Sequence, residues 1–367
     1  MPIDKKLPIV IKIGSAVLAD GAGNLDEGRM ACLADEICGL MGEGYRLIIV
    51  SSGAILAGMS RTGVRRRPRR LAQKQALAAI GQVELMSVYS RVFAERGREV
   101  GQMLITHEGM AQRTGFNNAR VTLMQLVDMG VVPIINENDS VSTEEIRFGE
   151  NDRLAVLVAN LAGAGSVIFL SRAPGLLDLT RGNKLVPRVE GIDADIYAMA
   201  KGGNEAGTGG MGSKLMSIDI LLKAGKAAFL ADGRTEGILG AIFSGDFVGT
   251  YFAPVGTALS SRKQWMSQHL RPHGRIWVDE GARQALMRSP ASLLLPGIVG
   301  VEGHFRAGQL VSICCQEGEF ARGMSRLSAR QIEKAIGCKR GDLAALLGES
   351  CPAFAVHRND IVLLLGL

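Results

Sequence analysis

The sequence lacks any apolar run fit to cross a bilayer. One uncharged stretch, Leu154 to Ser171, is long enough to register, but Asn160, Gly163, Gly165 and Ser166 interrupt it. It is expected to be a helix, a turn and a buried strand rather than a spanning helix. Met1 to Val17 holds only a short apolar run broken by Lys12, too short and too charged for a signal peptide. No membrane is therefore expected, and a cytoplasmic placement is. The six cysteines, at 32, 38, 314, 315, 338 and 351, form no C-x-x-C pair, so reduced, mostly buried thiols are expected. The five histidines stand apart from any cysteine cluster, and no zinc site is expected. Aromatics are scarce, at 5%, which speaks against single-strand binding by base stacking. There is no Gly-Lys-Ser/Thr and no Asp-Phe-Gly, which excludes a Walker A box and a protein-kinase core.

What is present is a globular composition, with 47% hydrophobic and 21% charged residues in 367. That length suggests two domains at roughly 100–200 residues each. The net charge of +6 is local. Arg61 to Lys74 carries six arginines and one lysine with no acid, and without those seven charges the rest of the chain is at −1. The bland account is a solvated basic loop before a helix; the alternative is an anion or RNA contact.

Strand-like and helix-like runs alternate through the first two thirds: strands at Pro8–Ile13, Arg46–Ser51, Val100–Thr106, Val131–Asn136, Val167–Leu170 and Ala227–Ala231, with helices at Asp26–Met41, Leu71–Glu95, Asn118–Met129, Leu154–Leu161 and Ser213–Lys223. Continuous apolar strands between amphipathic helices predict an α/β domain, a mostly parallel open sheet sandwiched by helices. After about Pro254 short strands dominate: Arg275–Val278, Gly297–Val301, Gln309–Cys314, Phe320–Gly323 and Ile361–Leu365, with helices at Asp279–Met287 and Ala329–Ile336. The expected division is 1–258, a linker 259–272, and a small β-rich domain 273–367.

Four segments carry chemistry. Three follow a predicted strand, where ligands bind in open α/β sheets. Lys12-Ile13-Gly14-Ser15 puts a lysine near the end of a buried strand, a costly place unless its ammonium reaches an anion; Gly14 would let backbone N–H groups approach that anion. A lysine snorkelling to the surface is the plain alternative. Ser51-Ser52-Gly53-Ala54 makes either an anion seat at a helix N-terminus or an ordinary N-cap. Asn136-Glu137-Asn138-Asp139 and Gly149-Glu150-Asn151-Asp152 gather acids and amides. They make a polar surface loop or a pocket for a substrate cation, with Asp139 as counter-ion and Asn151 as a hydrogen-bonding partner. The fourth, Gly207-Thr208-Gly209-Gly210-Met211-Gly212-Ser213-Lys214, has a formal G-x-G-x-x-G, but no strand precedes it, so a dinucleotide fold is disfavoured. A glycine-rich loop opening a helix with a lysine in its first turn suits phosphate oxygens. Lys12 and Lys214 together suit a transferring phosphoryl group.

In this order the segments resemble the glutamate 5-kinase family of the amino acid kinase superfamily. The resemblance extends to Lys74-Gln75 through Gly81-Gln82, Gly101-Gln102-Met103-Leu104 and Pro133 to Asp139. The C-terminal part is similar to a PUA domain in Val278-Asp279-Glu280-Gly281-Ala282, Ser292 to Ile298 and Val356-His357-Arg358. The resemblance implies ATP-dependent phosphorylation of the γ-carboxylate of L-glutamate, with Mg²⁺, as the first step of proline biosynthesis. It implies that Lys12 and Lys214 hold the β- and γ-phosphates and that Asp152 orients them. Ser52, Asp139 and Asn151 would hold glutamate. Ser171, Arg172, Thr208, Gly209, Gly210, Met211, Gly212, Ser213 and Lys214 would meet the nucleotide. A downstream glutamyl phosphate reductase and a homo-oligomer are the implied partners, and the PUA resemblance leaves an RNA contact open. Two positions depart from the family. Ser171-Arg172-Ala173-Pro174-Gly175-Leu176-Leu177 stands where Thr-Asp-x-x-Gly-Leu-Tyr is usual, and Ala16 stands where a hydroxyl residue is usual. The competing class is an RNA-binding or RNA-modifying protein, since PUA domains accompany such enzymes.

Overall fold

The computed structural model describes residues 3–66, 68–106, 109–110, 113–141, 150–201, 210–255, 272–288, 291–336 and 354–363. The chain divides into two compact units, Met1–Ala258 and Leu259–Leu367.

The first unit runs β1 (Ile9–Ile13), α1 (Glu27–Gly42), β2 (Leu47–Ser51), α2 (Ala54–Thr62), α3 (Leu71–Ala94), β3 (Val100–Ile105), α4 (Arg113–Asp128), β4 (Val132–Glu137), α5 (Glu150–Ala162) and β5 (Ser166–Ser171). A hairpin of β6 (Leu176–Asp178) and β7 (Lys184–Val186) follows, then β8 (Arg188–Val189), α6 (Ala194–Lys201), α7 (Met211–Lys223), β9 (Ala227–Asp232), α8 (Ile238–Ser244) and β10 (Thr250–Phe252). Among the described residues one sheet has the order β3-β4-β2-β1-β5-β9-β10-β8. Neighbours from β3 to β9 are parallel, and β10 is antiparallel to β9.

Strand side chains alternate between faces. Ile9, Ile11 and Ile13 therefore join α1, α3 and α8 in one core, while Val10 and Lys12 look to the other face, where α5 packs against β1. Residues Leu154 to Ala162 of α5 are buried all round, as an inner helix must be. Burying this helix fixes its first turn, and with it Asn151 and Asp152, at the carboxyl edge of the strands. Two glycines bring α2 and α3 into backbone contact. A Cβ on Gly81 would lie 1.8 Å from the Ala54 carbonyl oxygen, and one on Gly58 would lie 1.9 Å from that of Leu77.

The second unit comprises β11 (Gly274–Val278), α9 (Glu280–Arg288), β12 (Leu293–Leu294), β13 (Ile298–Gly303), β14 (Leu310–Cys315), β15 (Gly318–Ser325), α10 (Ala329–Ala335) and β16 (Phe354–Leu363). Its sheet order is β12-β16-β15-β14-β11-β13. Ile276, Val311, Ile313, Ala321, Ile332 and Val356 form a core of its own. The mixed α/β sheet with helices and the separate β-rich unit are the architecture expected from the alternation of runs.

Several details differ. Helix α4 begins at Arg113, well before Asn118, because Gly115 and Asn117-Asn118, which read as breakers, are carried inside a helix. Strand β16 begins at Phe354 rather than Ile361. The hairpin β6–β7, β8, α8 and β10 were too short to read from periodicity. Cys314 and Cys315 are buried, but Cys32 is exposed. Cys338, Cys351 and the expected linker 259–272, apart from Pro272, lie outside the described residues.

Candidate active site

Lys12 sits in the middle of the sheet and is only 7% exposed, which rules out the snorkelling alternative. Its register partner on β5 is Phe169, and the ammonium of Lys214 lies over that ring, 5.4 Å from its centroid. Lys214 lies in the first turn of α7 and is also 7% exposed. Between the two lies Asp152, 2% exposed. Its Oδ1 is 2.8 Å from Lys12 Nζ, and Lys214 Nζ donates to its Oδ2 at 2.9 Å. Burial is the strongest single influence on Asp152 and pushes its pKa up, but the charges and hydrogen bonds of the two lysines together outweigh it and hold the carboxyl below the ordinary range. Burial pulls the Lys214 ammonium down; attraction to Asp152 opposes this, and repulsion from Lys12 adds to it. Two cations sharing one anion leave a net positive charge in a desolvated place, which favours an arriving polyanion.

The anion that Lys12 reaches is thus a protein carboxylate. The N–H of Gly14 itself is taken by the Leu170 carbonyl at 3.0 Å, while a Cβ at this glycine would lie 3.7 Å from Lys12 Nζ. The N-cap of α2 is Gly53, at φ +112° with no side-chain capping bond. The segment does supply an N-cap, but at Gly53 and not through a serine side chain. The Ser52 Oγ instead accepts from Asn151 Nδ2 at 2.8 Å. The same amide nitrogen lies 3.1 Å from the Ser51 carbonyl oxygen and 3.1 Å from Asn136 Oδ1. Asn151 and Asp152 are consecutive, so the amide–hydroxyl seat and the lysine pair adjoin along the first turn of α5.

Asp139 lies just past β4 and is half-buried. Burial first, and the neighbouring Glu137 charge second, push its carboxyl up to about 6. A group so placed gains from a cation. Gly210 caps α7 without a side-chain bond, and Met211, Gly212 and Ser213 form its opening turn. The N–H groups of a helix's opening turn suit phosphate. Thr208 and Gly209 lie outside the described residues. Ser171 ends β5, its Oγ accepting from the Ala173 N–H at 3.1 Å. Arg172 is exposed, and its charge reaches Asp232, whose carboxyl is held low chiefly by hydrogen bonds from Arg234. The basic stretch joins α2 to α3, with Arg65, Arg66, Arg69 and Arg70 exposed; Arg67 lies outside the described residues. No group of three or more His, Cys, Asp or Glu that could hold a metal occurs among the described residues.

Two residues that the sequence analysis quoted within longer segments, without giving either a role, also stand beside this site. Asn136 is 3% exposed and bridges Asn151 to Gln82 of α3. The separation of Gln82 from Asn136, 54 residues, carries no local signal.

Comparison with known proteins places this geometry. Residues 8–232 match the model of the amino acid kinase family, and residues 274–347 match that of the PUA domain. A glutamate 5-kinase of Pelobacter propionicus is 42% identical over 362 residues, covering 97% of each chain. One of Geobacter sulfurreducens is 41% identical over 368 residues, covering 99% of each. Among solved structures, N-acetylglutamate synthase from Neisseria gonorrhoeae, complexed with coenzyme A and N-acetyl-glutamate, superposes with a TM-score of 0.52 at 15% identity, covering 67% of this chain and 59% of that one. That likeness is one of fold.

Proposed function

Because the chain belongs to the amino acid kinase family and matches curated glutamate 5-kinases over nearly its whole length, we propose that it transfers the γ-phosphoryl group of ATP to the γ-carboxylate of L-glutamate, giving L-glutamyl 5-phosphate for proline biosynthesis. One observation carries the mechanism: two buried ammoniums share the single carboxylate of Asp152, next to an amide–hydroxyl seat that can take a carboxylate.

The acceptor needs no activation. A glutamate side chain, with a pKa of about 4.3, is ionised at neutral pH, so no general base is required. One γ-carboxylate oxygen attacks the γ-phosphorus. The bond from phosphorus to the β,γ-bridging oxygen breaks, and its electron pair leaves on ADP. In this reading Lys12 and Lys214 neutralise the charge that spreads over the transferring group and the leaving β-phosphate. Asp152 holds both ammoniums in place. Ser52 and Asn151 take a substrate carboxylate, and Asp139 takes the α-ammonium. Ser171, Arg172 and the segment Thr208 to Lys214 face the nucleotide.

Mg²⁺ belongs to the proposal as a companion of ATP. Both oxygens of Asp152 are engaged by lysines, so the described residues offer the ion no cage. Phosphate oxygens and water would hold it, as is common for Mg²⁺. When bound it would neutralise phosphate charge. No helix among the described residues is long and apolar enough to cross a membrane. A cytoplasmic location, a homo-oligomer, a reductase that consumes the acyl phosphate and an RNA contact through 273–367 complete the proposal. Purified protein with ATP, Mg²⁺, glutamate and hydroxylamine should yield a glutamyl hydroxamate that depends on both substrates; its absence would refute the assignment.

A further inference from the structure

We infer that Gln82 is a positioning residue of the glutamate seat, acting through Asn136. The inference rests on the reading of Ser52 and Asn151 as that seat.

Asn136 Oδ1 accepts from the Glu137 N–H at 2.9 Å and from Asn151 Nδ2 at 3.1 Å. A carbonyl oxygen has two lone pairs, so these bonds determine which way the amide faces. Its Nδ2 is then turned toward α3, where Gln82 Oε1 accepts it at 2.9 Å. Without that acceptor the Asn136 Nδ2 is left unpaired beside α3, and the amide is free to turn about its Cβ–Cγ bond toward another acceptor, which draws Oδ1 away from Asn151 Nδ2. Asn151 would lose one of the three oxygens, on Ser51, Ser52 and Asn136, that orient its nitrogen. The relay therefore runs Gln82, Asn136, Asn151, Ser52. Its outer end is anchored by close packing, because the absent side chain of Gly81 lets α3 lie on the backbone of α2 at Ala54 and Gly58.

Gln82 is not explained by stability. Its own Nε2 is buried with no hydrogen-bond partner among the described residues. Native structures rarely leave such donors unmet, and each instance calls for a reason. A methionine would fill similar space without an orphan donor. Retaining the amide makes sense if its oxygen is needed to set Asn136.

Gln82→Met and the shorter Gln82→Asn, which withdraws the amide by one methylene, both break the bond to Asn136. Each is measured by steady-state kinetics and by glutamate-dependent thermal shift, alone and with Asn136→Ala. The expected result is a rise of about 3- to 10-fold in the glutamate KM and in the half-saturating glutamate of the thermal shift, the size of one neutral hydrogen bond. The KM for ATP should stay within about twofold, and the melting temperature should hardly move, since Gln82→Met removes one orphan donor and creates another. In the Asn136→Ala background neither Gln82 substitution should weaken glutamate further, as groups acting through one another are not additive. Unchanged glutamate affinity would overturn the inference. So would a full additional effect in the Asn136→Ala background, or equal rises in both KM values with a falling melting temperature. A wild-type protein with no glutamate-dependent hydroxamate would instead sink the reading of the seat itself.

Discussion

Replacing Asp152 with asparagine removes the carboxylate that lies between two ammoniums 2.8 and 2.9 Å from it. The side chains of Lys12 and Lys214 are each 9% exposed, so water can do little to compensate. Breaking a buried pair from one side costs about 3–5 kcal/mol. For a unit of this size, 1 kcal/mol corresponds to roughly 2–4 °C, so the melting temperature without nucleotide should fall by roughly 6–20 °C. ATP brings the missing negative charge and should therefore stabilise Asp152→Asn more, in degrees, than it stabilises the wild type, while kcat falls by about 10²–10³ because the lysines lose their orientation. The pH dependence has a definite sign. The Lys214 pKa is already lowered by burial, with Asp152 pulling it back up. Without Asp152 it drops further, so between the folded and unfolded values the unfolded chain binds more protons. The deficit is then complete below the folded value and shrinks as pH rises toward the ordinary lysine range. Thermal melts with and without ATP across neutral to alkaline pH measure all of this. A variant that melts like the wild type and gains nothing extra from ATP would refute the charge argument.

Other expectations follow from the same geometry. Lys214→Ala and Lys12→Ala should each lower kcat by about 10²–10³ with the fold intact, as judged by circular dichroism and turnover; near-normal turnover in either would remove it from phosphate binding. Asp139→Asn should raise the KM for glutamate far more than that for ATP. Because the wild-type carboxyl titrates near about 6, kcat/KM for glutamate should fall as pH drops through that value, and the acidic limb should flatten in the variant. An unaltered limb would assign it to another group. Arg172→Asp places a carboxylate beside Asp232, on the side of the sheet assigned to the nucleotide. It should weaken ATP by roughly tenfold or more, one charge-assisted bond being worth about 1.5–3 kcal/mol, with the glutamate KM little changed. ATP titrations at low and moderate salt check this, since an effect that salt abolishes would mean a merely exposed charge.

The layered fold was legible because its signals are local. Val10 and Ile11 beside Lys12, and the unbroken apolar run Leu154 to Ala159, announce a buried strand and an inner helix by composition alone. The burial of Lys12 was half legible, since an apolar strand said that its ammonium needed an anion but could not say which. The answer, Asp152, is set by the packing of α5, and only the family resemblance pointed to it. Ser52 and Gly14 show the limit from both sides. Each lies at a strand end with small neighbours, yet Gly53 takes the N-cap and frees Ser52, while the ladder consumes the Gly14 N–H. Gln82 was quoted within the family resemblance but given no role, because its place depends on a glycine contact between α2 and α3 and on an amide on β4, neither of which periodicity encodes. The short elements β8, α8 and β10 escaped because a few residues do not complete a period.

The most direct measurement uses glutamate labelled with ¹⁸O in its γ-carboxylate, turned over with ATP and Mg²⁺ in the presence of hydroxylamine. If a carboxylate oxygen attacks the γ-phosphorus, that oxygen bridges carbon and phosphorus in the product. Hydroxylamine then attacks the acyl carbon, and the released phosphate carries one ¹⁸O. Phosphate without label, formed at the same rate as ADP, would mean that water and not glutamate accepts the phosphoryl group, and the account would be wrong at its centre.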